Sequence, residues 1–178
     1  MDNDFTQIAI RAVEYMTIAA KTAPKTSGKD YIGIKIVTGE ELDKLAEAMV
    51  EFGVQHNKQN FDRDGGNVKN SDAVLLLSLD NAAKPAGLNC GACGKTFCTD
   101  LQPEEGPEFM GPLCAWRLID LGIALGSAVK TASIFNLDNR IMYRVGVVAR
   151  KMGLVEGQIV VGILVSVTGK NLYFDRSK

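Results

Sequence analysis

The rhythm of apolar and polar positions changes several times along the chain. Phe5, Ile8, Ala9, Ala12, Met16 and Ala19 recur at three- and four-residue spacing, which predicts an amphipathic helix over residues 4–21. The stretch from Ala23 through Pro24 to Gly28 closes it with turn chemistry. Residues 31–37 are rich in β-favouring side chains and read as a strand. Thr38-Gly39-Glu40-Glu41 has the form of a capping box, in which Thr38 accepts from the amide of Glu41 and Glu41 reaches back. The helix that follows carries Leu42, Leu45, Met49 and Phe52 on one stripe and stops at Gly53. Residues 54–70 are polar and rich in Gly and Asn, so they read as a surface loop. A continuous apolar run makes residues 72–79 a buried strand. Residues 83–112 have little periodicity, and a loop that long inside a compact domain is usually functional. A strong helix follows over residues 115–133, with Leu118, Leu121, Leu125, Val129 and Ala132 on one face. Asp138 then caps a further helix with Ile141, Val145, Val148 and Met152 on its face and Gly153 at its end. Residues 158–168 form a nearly all-apolar last strand, followed by a polar tail from Gly169 to Arg176. This order predicts an α+β or α/β sandwich without internal repeats.

Length and composition narrow the classes. The 178 residues, 46% of them apolar, suit a single α+β domain over residues 1–178, with residues 83–115 as an embedded segment. A net charge of −1 lacks the basic excess of a nucleic-acid binder. No apolar run approaches the roughly 20 residues a spanning helix needs, so no membrane partner is expected. The acidic start from Met1 to Phe5 has no signal core behind a basic end, which predicts a cytoplasmic protein. In a reducing compartment the four cysteines are expected to ligate a metal or cluster rather than form disulfides.

Their spacing is Cys90-x2-Cys93-x4-Cys98-x15-Cys114. Four thiolates are what a cubane cluster takes, one per iron, so the reading is one 4Fe–4S cluster held by Cys90, Cys93, Cys98 and Cys114. Gly91 and Gly94 let the backbone wrap closely, and amides in such a wrap point at sulfur. Cys114 follows Gly111-Pro112 at the start of a helix, where the dipole favours a thiolate. Structural zinc on the same four cysteines is the main alternative, although zinc ligands more often come as two close pairs.

The segment from Leu88 to Cys114 resembles the small 4Fe–4S domain with C-G-x-C-G-x-x-x-C and a distant fourth cysteine, found in electron-transport and corrinoid iron–sulfur proteins. More broadly the chain resembles a prokaryotic family of uncharacterised ferredoxin-domain proteins, through residues 120–130, 138–143 and Gly169-Lys170-Asn171. The N-terminal part is similar to nitroreductases. Ala19-Ala20-Lys21-Thr22-Ala23-Pro24, a turn, a strand to Val37 and a helix opening at Thr38 follow that family's order. This resemblance implies a nitroreductase-like α+β fold, with helices on a mainly antiparallel sheet and a cysteine-rich cluster-binding loop. It also implies FMN and a homodimer. The family's Arg-x-Ser-x-Arg clamp for the FMN phosphate has no counterpart, since the chain starts past it and Arg11 stands alone. Lys25 and Gly28 replace the family's Ser and Asn. Thr26, Ser27 and Lys29 are the residues left to contact a flavin or phosphate, against the simpler reading of a solvated turn.

Other residues carry paired readings. Gly122 and Gly126 leave a bare strip on the helix after Cys114, for a cofactor or dimer partner or for ordinary helix packing. Trp116 shields the cluster or fills the core. Asp100, Glu104, Glu105 and Glu108 guide a basic redox partner or form a solvated loop. His56, in a polar loop, is a poor ligand or base. Arg140 and Tyr143, at the start of the penultimate helix, touch a substrate or an interface. No G-x-S-x-G, P-loop or zincin motif is present. Three functions follow: electron transfer to or from a flavin, a partner protein or a small-molecule acceptor; an FMN-dependent oxidoreductase fed by the cluster; or a zinc- or cluster-stapled scaffold without redox turnover.

Overall fold

A computed structural model describes residues 4–174. The acidic start at residues 1–3 and the end of the tail, residues 175–178, lie outside the described residues. The first helix, α1 (Phe5–Thr22), is capped by Asp4, whose carboxylate accepts from the amide of Gln7 at 3.2 Å. It buries Ala9, Ala12, Val13, Met16 and Ala20. Phe5 and Ile8, expected on the same apolar face, are exposed. A short turn leads into β1 (Ile32–Val37) and then α2 (Gly39–Gln55), which buries the expected Leu42, Leu45, Met49 and Phe52. Thr38 holds the N-cap position, yet its side chain makes no cap hydrogen bond, and Glu41 accepts from Lys35 at 2.7 Å instead of reaching back.

Residues 54–70 are not a loop. Helix α2 runs past Gly53 to Gln55, and residues Phe61–Lys69 form a further helix, α3. A methyl group on Gly53 would lie 2.8 Å from Cβ of Phe61, so this glycine marks a close approach of α3. Gly65 plays the same part, since a methyl there would lie 2.8 Å from the carbonyl oxygen of Ala46 on α2. The polar helix also buries Asp64, which is satisfied by Arg63 and Arg144, each at 2.8 Å.

Strand β2 (Ala73–Leu79) is buried at every position. Beyond it the chain makes a 3-10 turn at Cys98–Asp100 and a short antiparallel ribbon, β3 (Glu104–Glu105) with β4 (Met110–Gly111), before helix α4 (Ala115–Ile134). The expected helix from Asp138 begins instead as strand β5 (Asp138–Met142), and α5 (Tyr143–Lys151) follows at once. Pairing with the last strand, β6 (Ile159–Ser166), decides this: Asn139 lies opposite Val165 and Ile141 opposite Ile163. The four long strands form one antiparallel sheet in the order β1-β2-β6-β5.

The two-residue period of the central strands divides the core. Ala73, Leu75, Leu77 and Leu79 of β2, with Ile163 and Val165 of β6, face α1 and α4. Val74 and Leu76, with Val160 and Leu164, face α2, α3 and α5. The apolar final strand is therefore covered within the chain. Exposed apolar side chains lie elsewhere, with Tyr15 and Ile18 on α1 and Ile119 and Ile123 on α4. No described helix is long and apolar enough to cross a membrane.

Candidate metal centre

Residues 80–114 leave the sheet at the end of β2 and return to it beside β6. On the way out the amide of Asp80 donates to the carbonyl of Tyr31 at 2.9 Å. On the way back the amide of Met110 donates to the carbonyl of Gln158 at 2.9 Å, and the Gln158 side chain holds the carbonyls of Asn81 and Ala83. Both ends are thus pinned to the same corner. Between them the backbone turns through left-handed residues, at Gly91 with φ 75° and Gly94 with φ 79°, where a side chain would be strained. The amide of Gly94 donates to the carbonyl of Gly91 at 2.9 Å, which closes the turn between Cys90 and Cys93.

All four cysteines line one hollow. Cys114 is buried at the N-cap of α4, Cys93 and Cys98 are half-buried, and Cys90 is exposed. Among the described residues no three His, Cys, Asp or Glu side chains gather as ligands for a single ion.

N–H groups already face two of the sulfurs. The amide of Asn89 donates to Sγ of Cys98 at 3.3 Å, and the Asn89 side chain accepts from the Cys98 amide at 2.8 Å. The indole Nε1–H of Trp116 donates to Sγ of Cys90 at 3.3 Å. The Cys90 thiol is held below its ordinary pKa, first by the amide of Ala92 and next by the Trp116 indole, with its own amide adding and desolvation opposing. The contacts on Cys90 favour its thiolate, the form that ligates metals.

An ion pair that apolar counting missed fixes the start of α4. Arg117 and Asp120 are each 2% exposed and meet at 2.9 Å. Asp120 accepts from the amide and the hydroxyl of Thr26, both at 2.8 Å. Arg117 donates to the carbonyls of Thr26 at 3.0 Å, Lys29 at 3.4 Å and Lys84 at 2.9 Å. Its guanidinium lies over the Tyr31 ring, 4.9 Å from the centroid. The pair therefore ties three segments together: the 26–29 turn, the entry to the cysteine segment and the helix that begins at Cys114. The signal available in the sequence was an Arg and an Asp three residues apart, in line with Leu121 and Ala124 on the buried face of a helix.

Thr26, Ser27 and Lys29 are close to one another but differ in what they offer. The donors of Thr26 are taken by Asp120, whereas Ser27 and Lys29 are exposed. The acidic stretch is also divided. Arg150 grips Glu105 through both guanidinium nitrogens, Lys58 pairs with Glu108 at 3.2 Å, and Asp100 and Glu104 face solvent. Two of the four acids expected to greet a partner thus hold the β3–β4 ribbon to the body of the protein. Gly122 and Gly126 are exposed with open space beside them, so they do not serve packing between neighbouring helices. His56 stacks on Phe52, with ring centroids 4.2 Å apart. Arg140 lies on β5 rather than on a helix and donates to the carbonyl of Tyr173 at 2.9 Å. Tyr143 begins α5 beneath the Arg144 guanidinium.

Residues 110–176 match the family described as "Uncharacterized protein containing a ferredoxin domain (DUF2148)", a span that includes Cys114. An "Uncharacterized protein" of Archaeoglobus fulgidus is 42% identical over 179 residues, covering 99% of this chain and 96% of that one. Among solved structures, the FMN-dependent nitroreductase NfnB from Mycobacterium smegmatis, in complex with NADPH, superposes with a TM-score of 0.57 at 14% identity, covering 92% of this chain and 78% of that one. Nitroreductase A from Vibrio parahaemolyticus superposes with a TM-score of 0.55 at 17% identity over 90% of this chain. The chain spans only 60% of that protein's length. The fold is nitroreductase-like.

Proposed function

The chain belongs to the family of uncharacterized proteins containing a ferredoxin domain, and from that premise we propose that Cys90, Cys93, Cys98 and Cys114 hold one 4Fe–4S cluster, through which the protein passes electrons to or from a flavin or a partner enzyme. One observation carries this reading: every cysteine of the chain lines the same hollow. A zinc ion needs its four sulfurs within about 2.3 Å of one point. A cubane takes one thiolate per iron, a demand that four cysteines on one hollow would meet. The cluster would supply a reversible electron at a potential set by its surroundings.

The chain's own residues have distinct tasks in this reading. Gly91 and Gly94 bend the backbone so that Cys90 and Cys93 come to the same side of the turn. Asn89 clamps Cys98 through reciprocal hydrogen bonds. The start of α4 presents Cys114, and the Arg117–Asp120 pair holds that start in place. Buried Cys114 faces the protein and exposed Cys90 faces solvent, which gives electrons a short way out at the Cys90 corner.

The test is anaerobic purification with iron and sulfide analysis. The expected result is brown protein with about four irons and four sulfides per chain. Colourless protein with one zinc per chain would overturn the assignment.

The fold favours a flavin-dependent oxidoreductase as the second reading, because FMN-dependent NfnB shares it. Ser27 and Lys29 are the groups that would meet a flavin phosphate, since Thr26 is committed to Asp120. FMN released on boiling supports this reading, and flavin-free protein that still transfers electrons refutes it. A homodimer belongs to the same reading, supported by the exposed apolar side chains of α1 and α4. A monomeric mass by light scattering would remove it.

A further inference from the structure

The first turn of α4 carries two kinds of group. Cys114 begins it as a sulfur ligand in the proposed centre, and Trp116, two residues on, reaches a different sulfur. That sulfur belongs to Cys90, 26 residues earlier in the chain. We propose, on the basis of the cluster reading, that Trp116 is a positioning residue, whose indole N–H hydrogen bond to Cys90 sets the reduction potential of the cluster and covers its solvent-facing corner.

The chemistry of the contact has one direction. An indole nitrogen only donates, so the proton at 3.3 Å belongs to Trp116 and the acceptor is sulfur. A hydrogen bond to a charged acceptor strengthens as its negative charge grows. Reduction adds an electron to the cluster and its thiolates, so the indole favours the reduced state and raises the potential. The placement matters because Cys90 is the exposed cysteine, where water would otherwise be the competing donor. Trp116 is itself 38% exposed, so its ring forms the outer wall of the hollow instead of filling the core.

Two measurements test the proposal. Trp116→Phe keeps an aromatic cover and removes the N–H. The variant is expected to retain native iron and sulfide content while its midpoint potential, measured by EPR-monitored titration, moves negative. A potential identical to that of the native protein would overturn the proposal. The second measurement needs no variant. Trp116 is the chain's single tryptophan, so 15N-indole labelling marks one nitrogen. Pulsed EPR of the reduced native protein is expected to show a 15N coupling and an exchangeable proton coupling from this group. If Trp116→Phe cannot hold its cluster, the labelled native protein decides alone, and absence of both couplings rejects the indole contact. Native protein without iron and sulfide would instead sink the cluster assignment itself, a different failure from an intact cluster that ignores the indole.

Discussion

The central strands and the cysteine segment are held by different forces. In β2 every residue is buried and each apolar side chain belongs to the core on one face of the sheet or the other. Between residues 86 and 100 no residue is buried, and Leu88 and Phe97 both point their apolar surface outward. Strand order there comes from hydrophobic burial shared among many contacts. Order in the cysteine segment comes from a few hydrogen bonds, the left-handed glycines Gly87, Gly91 and Gly94 and, in our reading, the bound cluster. A lost contact in the sheet is therefore felt by the whole molecule, whereas a lost ligand is felt locally. The two regions meet at the start of α4, and that junction is where the contrast can be broken.

The largest effect is expected inside the sheet layers. A methyl group on Gly146 of α5 would sit 1.8 Å from the carbonyl oxygen of Val160, which is backbone and cannot swing aside. Gly146→Ala is expected to cost about 3 kcal/mol or more, because one strand or helix must move. A urea titration reads this as a lower midpoint by far-UV circular dichroism. Gly122→Ala is the control, since open space lies beside it on α4. There the helix propensity of Ala should stabilise by up to about 1 kcal/mol. Equal effects at the two sites would show that the packing of α5 on β6 is looser than the distance implies.

Next comes the junction. Arg117→Met removes the guanidinium that joins Asp120, the 26–29 turn and Lys84. Breaking one side of a buried ion pair typically costs about 3–5 kcal/mol. The lower end is expected here because Thr26 still donates twice to Asp120. Hydrogen exchange should quicken both at the 26–29 turn and near Lys84, two places more than 50 residues apart that nothing in the pattern of the chain connects. Exchange that rises at only one of them would mean the pair does not couple the two regions.

How far the sequence revealed each region follows the same division. The apolar runs of β2 and β6, the stripe of α2 and the spacing of the cysteines were legible, because burial leaves its period in the sequence and four cysteines in 178 residues stand out. Helix α3 was hidden by its own requirements: Gly65 is small so that it can approach Ala46, and Asp64 is charged because Arg144 is there to receive it. Both read as loop signals until the neighbours are known. Residues 138–142 looked like a capped helix start because Asp138 is a good cap, yet pairing with β6 outweighed that local preference. Of the candidate centre, the four cysteines and the glycines between them were legible. Arg117 and Asp120 were not, since counting apolar positions discards charged residues on a buried face.

Cys93→Ser probes the other side of the contrast. The variant is expected to lose or degrade the cluster and to raise hydrogen exchange across residues 85–114. The sheet and its helices should keep their urea midpoint within about 0.5 kcal/mol, as for changes away from a packed core. Cys93 is half-buried and lies outside both apolar clusters, which is why its loss should stay local. Full iron and sulfide content in the variant would remove Cys93 from the ligand set. Global unfolding would show that the sheet depends on the cluster after all.

The smallest effect concerns the ribbon that closes the cysteine segment. Glu105 of β3 is gripped by Arg150 of α5, whose Nε also donates to the carbonyl of Gly157 at 2.6 Å. The hydrogen bond from Arg150 holds the Glu105 carboxyl below its ordinary pKa; desolvation opposes this, and the charges of Arg150 and Lys151 add to the lowering. A folded pKa below the unfolded one gives a definite sign. The grip contributes fully above the ordinary carboxylate pKa and is lost as pH falls through the lowered folded value. Because Glu105 is exposed, the contribution is small and screened by salt. Amide exchange or NMR shifts at residues 104–111 should therefore loosen in acid while those of β2 hold steady, and Glu105→Gln should remove that acid dependence at the ribbon. Acid loosening that spreads into β2 at the same pH would erase the distinction between the two regions, because the loss of one ion pair at the ribbon would then be setting the stability of a strand held by burial.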